Sequence, residues 1–109
     1  MKITKETEQK IAELQLLEQN LQNFMIQKQT FQAQILEIEN ALKELDISKE
    51  CYKIIGPIMV HSTKEDLKKD LNSKREILNI RIKNIEKQEE KIKEKADSIQ
   101  SEVLKQIKK

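Results

Sequence analysis

The sequence predicts a mainly α fold in which two long helices pack antiparallel as a coiled coil and are joined by a short β-hairpin. Charged residues make up 37% of the 109 positions, while the chain holds one glycine, one proline and no tryptophan. A chain with so few turn residues must consist of long uninterrupted elements. Two heptad repeats of similar length, separated by one short apolar insert, indicate helices on either side of a hairpin.

The first heptad repeat predicts a helix over residues 1–46. Its core positions recur at alternating intervals of three and four residues, which is the spacing of a coiled-coil seam. The ten positions, nine of them apolar, are Leu14, Leu17, Leu21, Phe24, Lys28, Phe31, Ile35, Ile38, Leu42 and Leu45. Towards the N-terminus the same register contains Thr7 and Lys10. Because neither is a good core residue, we expect the pairing to weaken there.

The second heptad repeat predicts a helix over residues 63–109. Its ten core positions, eight of them apolar, are Leu71, Arg75, Leu78, Ile82, Ile85, Glu89, Ile92, Ala96, Ile99 and Val103. Ser62 and Glu65 have the spacing of a capping box at the start of this helix, with Thr63 as an alternative N-cap.

Three core positions of the two seams carry a charge: Lys28, Arg75 and Glu89. We expect their long side chains to reach solvent or an opposite charge and so to fix the register of pairing.

The two helices are expected to pair with each other, because one long helix with a single apolar stripe is not stable alone in water. Residues 1–46 carry five lysines against eight acidic residues, whereas residues 64–109 carry fourteen basic against ten acidic residues. If the chain reverses between Gly56 and Pro57, the two seams overlap along almost their full length. Complementary charge and matching seams therefore favour an intramolecular antiparallel hairpin.

The predicted hairpin region covers residues 47–62. Two β-prone runs, Cys51 to Ile55 and Ile58 to His61, flank the Gly-Pro pair. Glycine followed by proline suits a type II′ turn, because glycine accepts a positive φ and the fixed φ of proline fits the next position; a cis-proline turn is the alternative. Pairing Ile55 with Ile58 leaves both faces of the ribbon substantially apolar.

This ribbon is expected to associate with ribbons of other subunits. A two-stranded ribbon is marginal in water, and neither the helix ends nor the flanking polar residues cover both its faces and both its edges. We therefore predict oligomerisation through residues 51–61, with a self-contained monomeric hairpin as the alternative. The predicted interface residues are Tyr52, Ile54, Ile55, Ile58, Met59 and Val60.

The sequence offers no candidate catalytic or metal site. Cys51 is the only cysteine and His61 the only histidine, so no internal disulfide and no Cys/His metal cluster can form. We interpret Cys51 as a small buried apolar residue rather than a redox thiol, and His61 as packing at the hairpin edge. Because no nucleophile and base arrangement or phosphate-binding loop is present, we expect neither an enzyme nor a cofactor.

Charge and hydropathy also limit the partners and the compartment. The formal net charge is +2, and the lysines of residues 83–95 are interleaved with glutamates and lack aromatic neighbours, so nucleic acid is not an expected partner. No run has the length of a signal-peptide core or of a membrane span, so we expect no membrane association. A single cysteine fits the reducing cytoplasm.

The hairpin sequence between two seams of equal length resembles the β-class subunit of prefoldin. The residues that carry the resemblance run from Tyr52 to Val60 as Tyr-Lys-Ile-Ile-Gly-Pro-Ile-Met-Val. Lys-Glu-Asp-Leu at residues 64–67 supports it, and residues 81–90 resemble the second-helix stretch of archaeal members. The resemblance covers nearly the whole chain as one prefoldin-like domain.

This resemblance implies a hexamer of two α-class and four β-class subunits, in which the hairpins form a β-barrel platform and the coiled coils project from it. It further implies an ATP-independent chaperone that holds non-native polypeptides at the distal coil tips. Such a holdase would pass its clients to a cytosolic group II chaperonin.

The chain reversal places both termini at the far tip of the coil, where the resemblance locates client binding. The expected client-binding residues are Ile3, Ile11, Leu14, Ile99, Val103, Leu104 and Ile107. Weak pairing at Thr7 and Lys10 is expected to leave part of this aliphatic surface accessible. Two alternatives stay open: these residues only close the coil, or the protein is a structural coiled-coil adaptor whose tips bind one defined partner.

Overall fold

In the computed structural model, which describes residues 4–107, the chain forms α1 (Lys5–Ile47), β1 (Cys51–Ile55), β2 (Ile58–Ser62) and α2 (Lys64–Ile107). Helix α1 has 43 residues and α2 has 44. The predicted fold class of two long helices joined by an antiparallel β-hairpin is confirmed. Neither helix, over the described residues, is apolar enough along its length to cross a bilayer.

Helix α1 begins with a threonine cap that the sequence prediction did not identify. The backbone N–H of Thr7 donates to Oγ1 of Thr4 at 3.1 Å, which satisfies an amide that has no partner within the helix. Glu6 and Glu8 lie in the same first turn, where negative charge favours the positive end of the helix.

Helix α2 is capped by Thr63 and not by Ser62. The N–H of Asp66 donates to Oγ1 of Thr63 at 3.2 Å, and the N–H of Leu67 donates to the Thr63 carbonyl at 3.1 Å. Ser62 is still paired with Cys51 in the strand ladder, so its backbone belongs to β2. The predicted capping box starting at Ser62 is therefore wrong, and the alternative cap is confirmed.

Strands β1 and β2 form a two-stranded ribbon in the predicted register, with Ile55 opposite Ile58 next to the turn. Gly56 has a φ of 57°, in the left-handed region that glycine adopts without the steric cost of a Cβ. No peptide bond of residues 4–107 is cis, so the cis-proline alternative is excluded. The positive φ at Gly56 fits the predicted type II′ turn.

The described residues form two compact units, which we treat separately. The terminal unit consists of residues 4–28 and 83–107, and the ribbon unit consists of residues 29–82. In the terminal unit, the side chain of Thr7 lies against that of Gln106. In the ribbon unit, the Arg81 guanidinium lies 5.9 Å from the centre of the Phe31 ring. A second contact in each unit, Lys28 with Glu89 and Asp46 with Lys68, joins a later residue of α1 to an earlier residue of α2. The two helices are therefore antiparallel within each unit, as a reversal at Gly56 and Pro57 requires.

The core of each unit consists of seam residues. In the terminal unit, Leu17, Ile85, Ile99 and Val103 are buried, and in the ribbon unit Leu45, Cys51 and Leu78 are buried. Most of these residues are seam positions that the heptads predict, and Cys51 joins them from the base of β1. The seam thus supplies the hydrophobic burial that a pair of long helices needs.

Candidate functional site

The apolar side chains of the ribbon are exposed on both of its faces. All six predicted interface residues are exposed, with fractions from 42% at Val60 to 70% at Ile54. The strand register places Ile55, Ile58 and Val60 on one face with Lys53. The opposite face carries Tyr52, Ile54, Met59 and His61. An apolar surface of this kind is typical of a protein–protein interface.

Two aromatic rings meet near the base of the ribbon. Tyr52 and His61 pack edge to face, with ring centres 5.5 Å apart and an interplanar angle of 81°. The Tyr52 hydroxyl donates to Oε2 of Glu50 at 2.8 Å, and this hydrogen bond raises the pKa of Tyr52. His61 therefore packs at the hairpin edge, as the sequence interpretation has it.

Ion pairs connect the ribbon and the helices at its base. Lys53 Nζ lies 3.0 Å from Oδ2 of Asp70, joining β1 to α2. Lys68 Nζ lies 2.5 Å from Oδ1 of Asp46, joining α2 to the last turn of α1. The Lys68 ammonium, through its hydrogen bond and its charge, lowers the pKa of the Asp46 carboxyl. Because both pairs are partly exposed, each contributes only a small amount to the stability of the chain.

A groove with a volume of about 600 Å³ lies between β1 and the adjoining helix ends of the ribbon unit. Leu45, Leu67 and Leu71 line it from the helices, and Tyr52 and Ile54 line it from β1. Because the last two residues also belong to an exposed ribbon face, the groove continues that face.

Cys51 lies in the wall of the same groove and is only 7% exposed. This burial agrees with its interpretation as a small apolar residue.

In the terminal unit, most of the predicted client-binding residues pack together. Ile99 and Val103 are buried with Leu17, and Ile11, Leu14 and Ile107 are partly buried against them. The predicted residue Ile3 lies outside the described residues. The structure thus brings five of the predicted side chains into one aliphatic cluster.

A polar contact closes this cluster where the two helices meet near their ends. The Thr7 hydroxyl donates to Oε1 of Gln106 on the opposite helix, and Oγ1 of Thr7 lies 2.9 Å from Oγ1 of Thr4. Thr7 is 3% exposed, whereas the buried apolar side chains are 7–9% exposed. Partners on both sides thus satisfy the hydroxyl at the position where the sequence predicts weak pairing, and the strength of the pairing there stays a prediction.

Two ion pairs continue this contact along the terminal unit. Lys10 Nζ lies 2.9 Å from Oε2 of Glu102, and Lys95 Nζ lies 3.3 Å from Oε1 of Glu13. The hydrogen bond that the Lys10 ammonium donates to Glu102 raises the pKa of Lys10. Lys10, like Thr7, therefore has a partner on the opposite helix.

Leu104 is the predicted client-binding residue that stays clearly exposed, at 50%. The sequence prediction missed three further exposed apolar residues of the terminal unit: Leu16, Met25 and Ile26. All of them lie at heptad positions outside the seam. An apolar residue outside the seam is the signal that would have identified them.

The charged seam residues Lys28 and Glu89 face each other in the terminal unit. Lys28 Nζ lies 2.9 Å from Oε1 of Glu89, and Glu89 is 9% exposed. The hydrogen bond that the Lys28 ammonium donates to Glu89 raises the pKa of Lys28. This contact confirms that these two charges reach each other across the seam. Arg75, in contrast, bonds to Asn72 on its own helix at 2.9 Å.

The described side chains form two apolar surfaces, the exposed ribbon and the aliphatic cluster of the terminal unit. Within residues 4–107, no group of three or more His, Cys, Asp or Glu residues is placed to hold a metal ion. A two-helix hairpin that buries its seam and leaves a two-faced apolar ribbon exposed defines an assembly subunit of the coiled-coil type.

Comparison with known proteins assigns this subunit to a family. A family model described as prefoldin subunit matches residues 8–109. Prefoldin subunit beta of Archaeoglobus fulgidus is 41% identical over 88 residues, which are 78% of this chain and 76% of that protein. Prefoldin subunit beta of Methanothrix thermoacetophila is 33% identical over 101 residues, covering 90% and 84% of the two chains.

The fold agrees with this assignment. The crystal structure of the prefoldin beta subunit from Thermococcus strain KS-1 matches with a TM-score of 0.86 at 28% identity, covering 94% of this chain and 92% of that one. The chain belongs to the β class of the prefoldin family. It is therefore a prefoldin chaperone subunit, of a family whose members are chaperones and not enzymes and assemble with other prefoldin subunits.

Proposed function

We propose that this subunit works as an ATP-independent holdase in the cytoplasm, within a hexamer of two α-class and four β-class prefoldin subunits. The hexamer binds non-native polypeptides at the coil tips and passes them to a group II chaperonin. The proposed assembly is supported by the exposure of the ribbon, whose apolar side chains are 42–70% exposed on both faces. A lone free cysteine also suits a reducing compartment.

Client binding is proposed for the aliphatic residues of the terminal unit: Ile3, Ile11, Leu14, Ile99, Val103, Leu104 and Ile107. Support comes from the cluster that five of them form and from the exposure of Leu104. Each aliphatic side chain that a client covers fully contributes about 1.5–3 kcal/mol. Several such tips acting on one polypeptide bind it tightly by effective concentration, although each contact is weak enough to release.

The proposal is tested on the subunit assembled with its α-class partner. Removal of residues 1–11 and 103–109 should abolish the suppression of aggregation of several unrelated, chemically unfolded proteins, while the native mass of the core assembly changes only by the deleted residues. Light scattering measures the first property and native mass spectrometry the second. Unchanged protection by the truncated assembly would contradict client binding at the tips.

A matched pair of leucine variants sharpens this test. Leu104→Ser should reduce protection, whereas Leu36→Ser should not, since Leu36 lies in the ribbon unit and is similarly exposed at 58%. Transfer is followed by native gel as movement of a fluorescent client from the prefoldin complex to an added group II chaperonin. Retention of the client on prefoldin would contradict the transfer step.

The second candidate is a structural adaptor whose tips bind one defined protein. The close packing of the terminal unit, with Thr7 only 3% exposed, favours it, because a well-closed coil end suits a fixed partner. An adaptor would bind one native protein tightly and would not protect unrelated unfolded clients. The aggregation experiment therefore separates the two functions.

A further inference from the structure

We propose that Thr4, Thr7 and Gln106 form a latch that holds the ends of the two helices together over the aliphatic cluster, and that the latch must open before a client binds there. This inference rests on the proposed holdase function and adds a gate to it. The gate follows from three observations: a polar contact between buried Thr7 and exposed Gln106, ion pairs in the same unit, and an aliphatic cluster with little exposed surface.

The hydroxyl hydrogen bonds of the latch form a continuous series. The Thr7 N–H donates to Oγ1 of Thr4, the Thr4 hydroxyl can donate to Oγ1 of Thr7, and the Thr7 hydroxyl donates to Oε1 of Gln106. In this arrangement each hydroxyl donates once and also accepts once. The series begins at the N-cap of α1 and crosses to the last turn of α2, so it joins the ends of the two helices.

Burial makes this contact costly to lose. Thr7 is 3% exposed, and a buried hydroxyl that loses its partner is strongly disfavoured. The Lys10–Glu102 pair at 2.9 Å and the Glu13–Lys95 pair at 3.3 Å hold the helices together beside it. The latch is therefore a specific polar closure at a place where helix ends otherwise tend to separate.

The closed latch covers the aliphatic cluster of the terminal unit, although Leu104 beside it stays exposed. Leu17, Ile99 and Val103 are buried, and Ile11 and Leu14 are packed against them. A client reaches these side chains when the terminal turns separate, and local opening near chain ends requires much less free energy than global unfolding. The latch thus sets the fraction of tips that are open, and the apparent client affinity scales with that fraction.

The first test weakens the latch with Gln106→Ala and uses Gln100→Ala as its control. Both substitutions place a strong helix former on α2, and Gln100 is exposed. Loss of the cross-helix bond should raise the open fraction about two- to tenfold, the factor that one net hydrogen bond is worth. Amide hydrogen exchange of residues 7–10 and 103–107 should accelerate by this factor without client, and a denatured client peptide should bind tighter by the same factor. Gln100→Ala should change neither.

The second test locks the latch. In a Cys51→Ala background, Thr7→Cys and Gln106→Cys are bridged by a short bis-methanethiosulfonate reagent, and client binding of the assembled protein is measured before bridging, after bridging and after reduction. Bridging should abolish most binding and reduction should restore it.

Two outcomes would overturn the latch alone, and a third would overturn the holdase function as well. Equal client binding by the bridged and unbridged protein overturns the latch alone, and so does faster exchange in Gln106→Ala without tighter binding. Failure of the unbridged and wild-type proteins to bind any unfolded client overturns the holdase function and the latch with it.

Discussion

Lys28 and Glu89 show how single residues of this chain depend on a partner in the opposite helix. Both interrupt an apolar seam, and both are retained in it by a contact of 2.9 Å. A reversal at Gly56 and Pro57 sets Lys28 level with Ile85, one turn before Glu89. The long lysine side chain spans that turn, and we expect the pair to favour this register of the helices over others.

Removing one charge of the Lys28–Glu89 pair should lower the free energy of unfolding more than removing both charges. Glu89→Leu leaves the Lys28 ammonium partly buried without its carboxylate and should lower the free energy of unfolding by about 1–2 kcal/mol. The Lys28→Leu, Glu89→Leu double variant should recover most of that loss, because two leucines extend the seam. Chemical denaturation followed by circular dichroism measures all three proteins, with exposed Glu90→Leu as control. Additive losses in the double variant would show that the two charges do not act together.

Residue roles that depend on the opposite helix could not be predicted from the heptad repeat. The sequence identified Lys28 and Glu89 as seam interruptions and left solvent or an opposite charge as alternative partners. The sequence also predicts weak pairing at Thr7, because a hydroxyl in an apolar seam is unfavourable unless a hydrogen-bond acceptor lies next to it. Only the structure shows that Gln106 of the opposite helix is this acceptor.

At the scale of elements, the heptads predict the helices well and their ends less well. Helix α1 ends at Ile47 and α2 begins at Lys64, each one residue beyond the predicted bound. The ribbon register follows from the Gly-Pro turn, since a two-residue turn leaves only one pairing for the strands that flank it. The cap of α2 needed the structure, because Ser62 and Thr63 are equally good caps and only the strand ladder excludes the first.

The junction between the helices and the ribbon should respond to acid through Asp46. Because the Lys68 ammonium lowers the pKa of Asp46 below its ordinary value of about 3.9, this pair stabilises the folded chain above that pH. Its contribution is lost as pH falls through the lowered pKa, where the folded carboxylate finally takes up its proton.

Asp46→Asn should therefore flatten the loss of stability with acid in the window below about pH 4. Thermal unfolding at a series of pH values measures the slope, and Asp97→Asn, at an exposed aspartate of α2, provides the control. If the wild-type and Asp46→Asn curves stay parallel through this window, the Asp46–Lys68 pair does not contribute to folding.

At the scale of the whole molecule, two kinds of apolar surface serve two tasks. The seam residues are buried within the chain and stabilise its helices, while the ribbon residues between Tyr52 and Val60 remain exposed. Residue type alone does not distinguish the buried seam residues from the exposed ribbon residues, since both sets consist largely of branched aliphatic side chains. The spacing of the apolar residues distinguishes them: seam residues recur every three or four positions, whereas the ribbon residues form a short continuous run around a turn.

The final prediction concerns the two faces of the ribbon. Ile54 lies on the face with Tyr52 and Met59, and Ile58 lies on the opposite face. If assembly covers both faces, then Ile54→Lys and Ile58→Lys should each weaken it at least tenfold, because either change buries an unpaired ammonium in an apolar interface. Native mass spectrometry of a dilution series with the α-class subunit measures the loss.

The control for both variants is Leu36→Lys, which places the same charge at an exposed leucine of α1. It should leave the native mass unchanged, and circular dichroism should show that all three variants keep their helices. Loss of assembly from one variant alone would mean that other subunits cover a single face of the ribbon. If both lysine variants of the ribbon assemble as well as the wild-type protein, the interface lies elsewhere on the chain. A ribbon that tolerates a lysine on each face is not buried against another subunit.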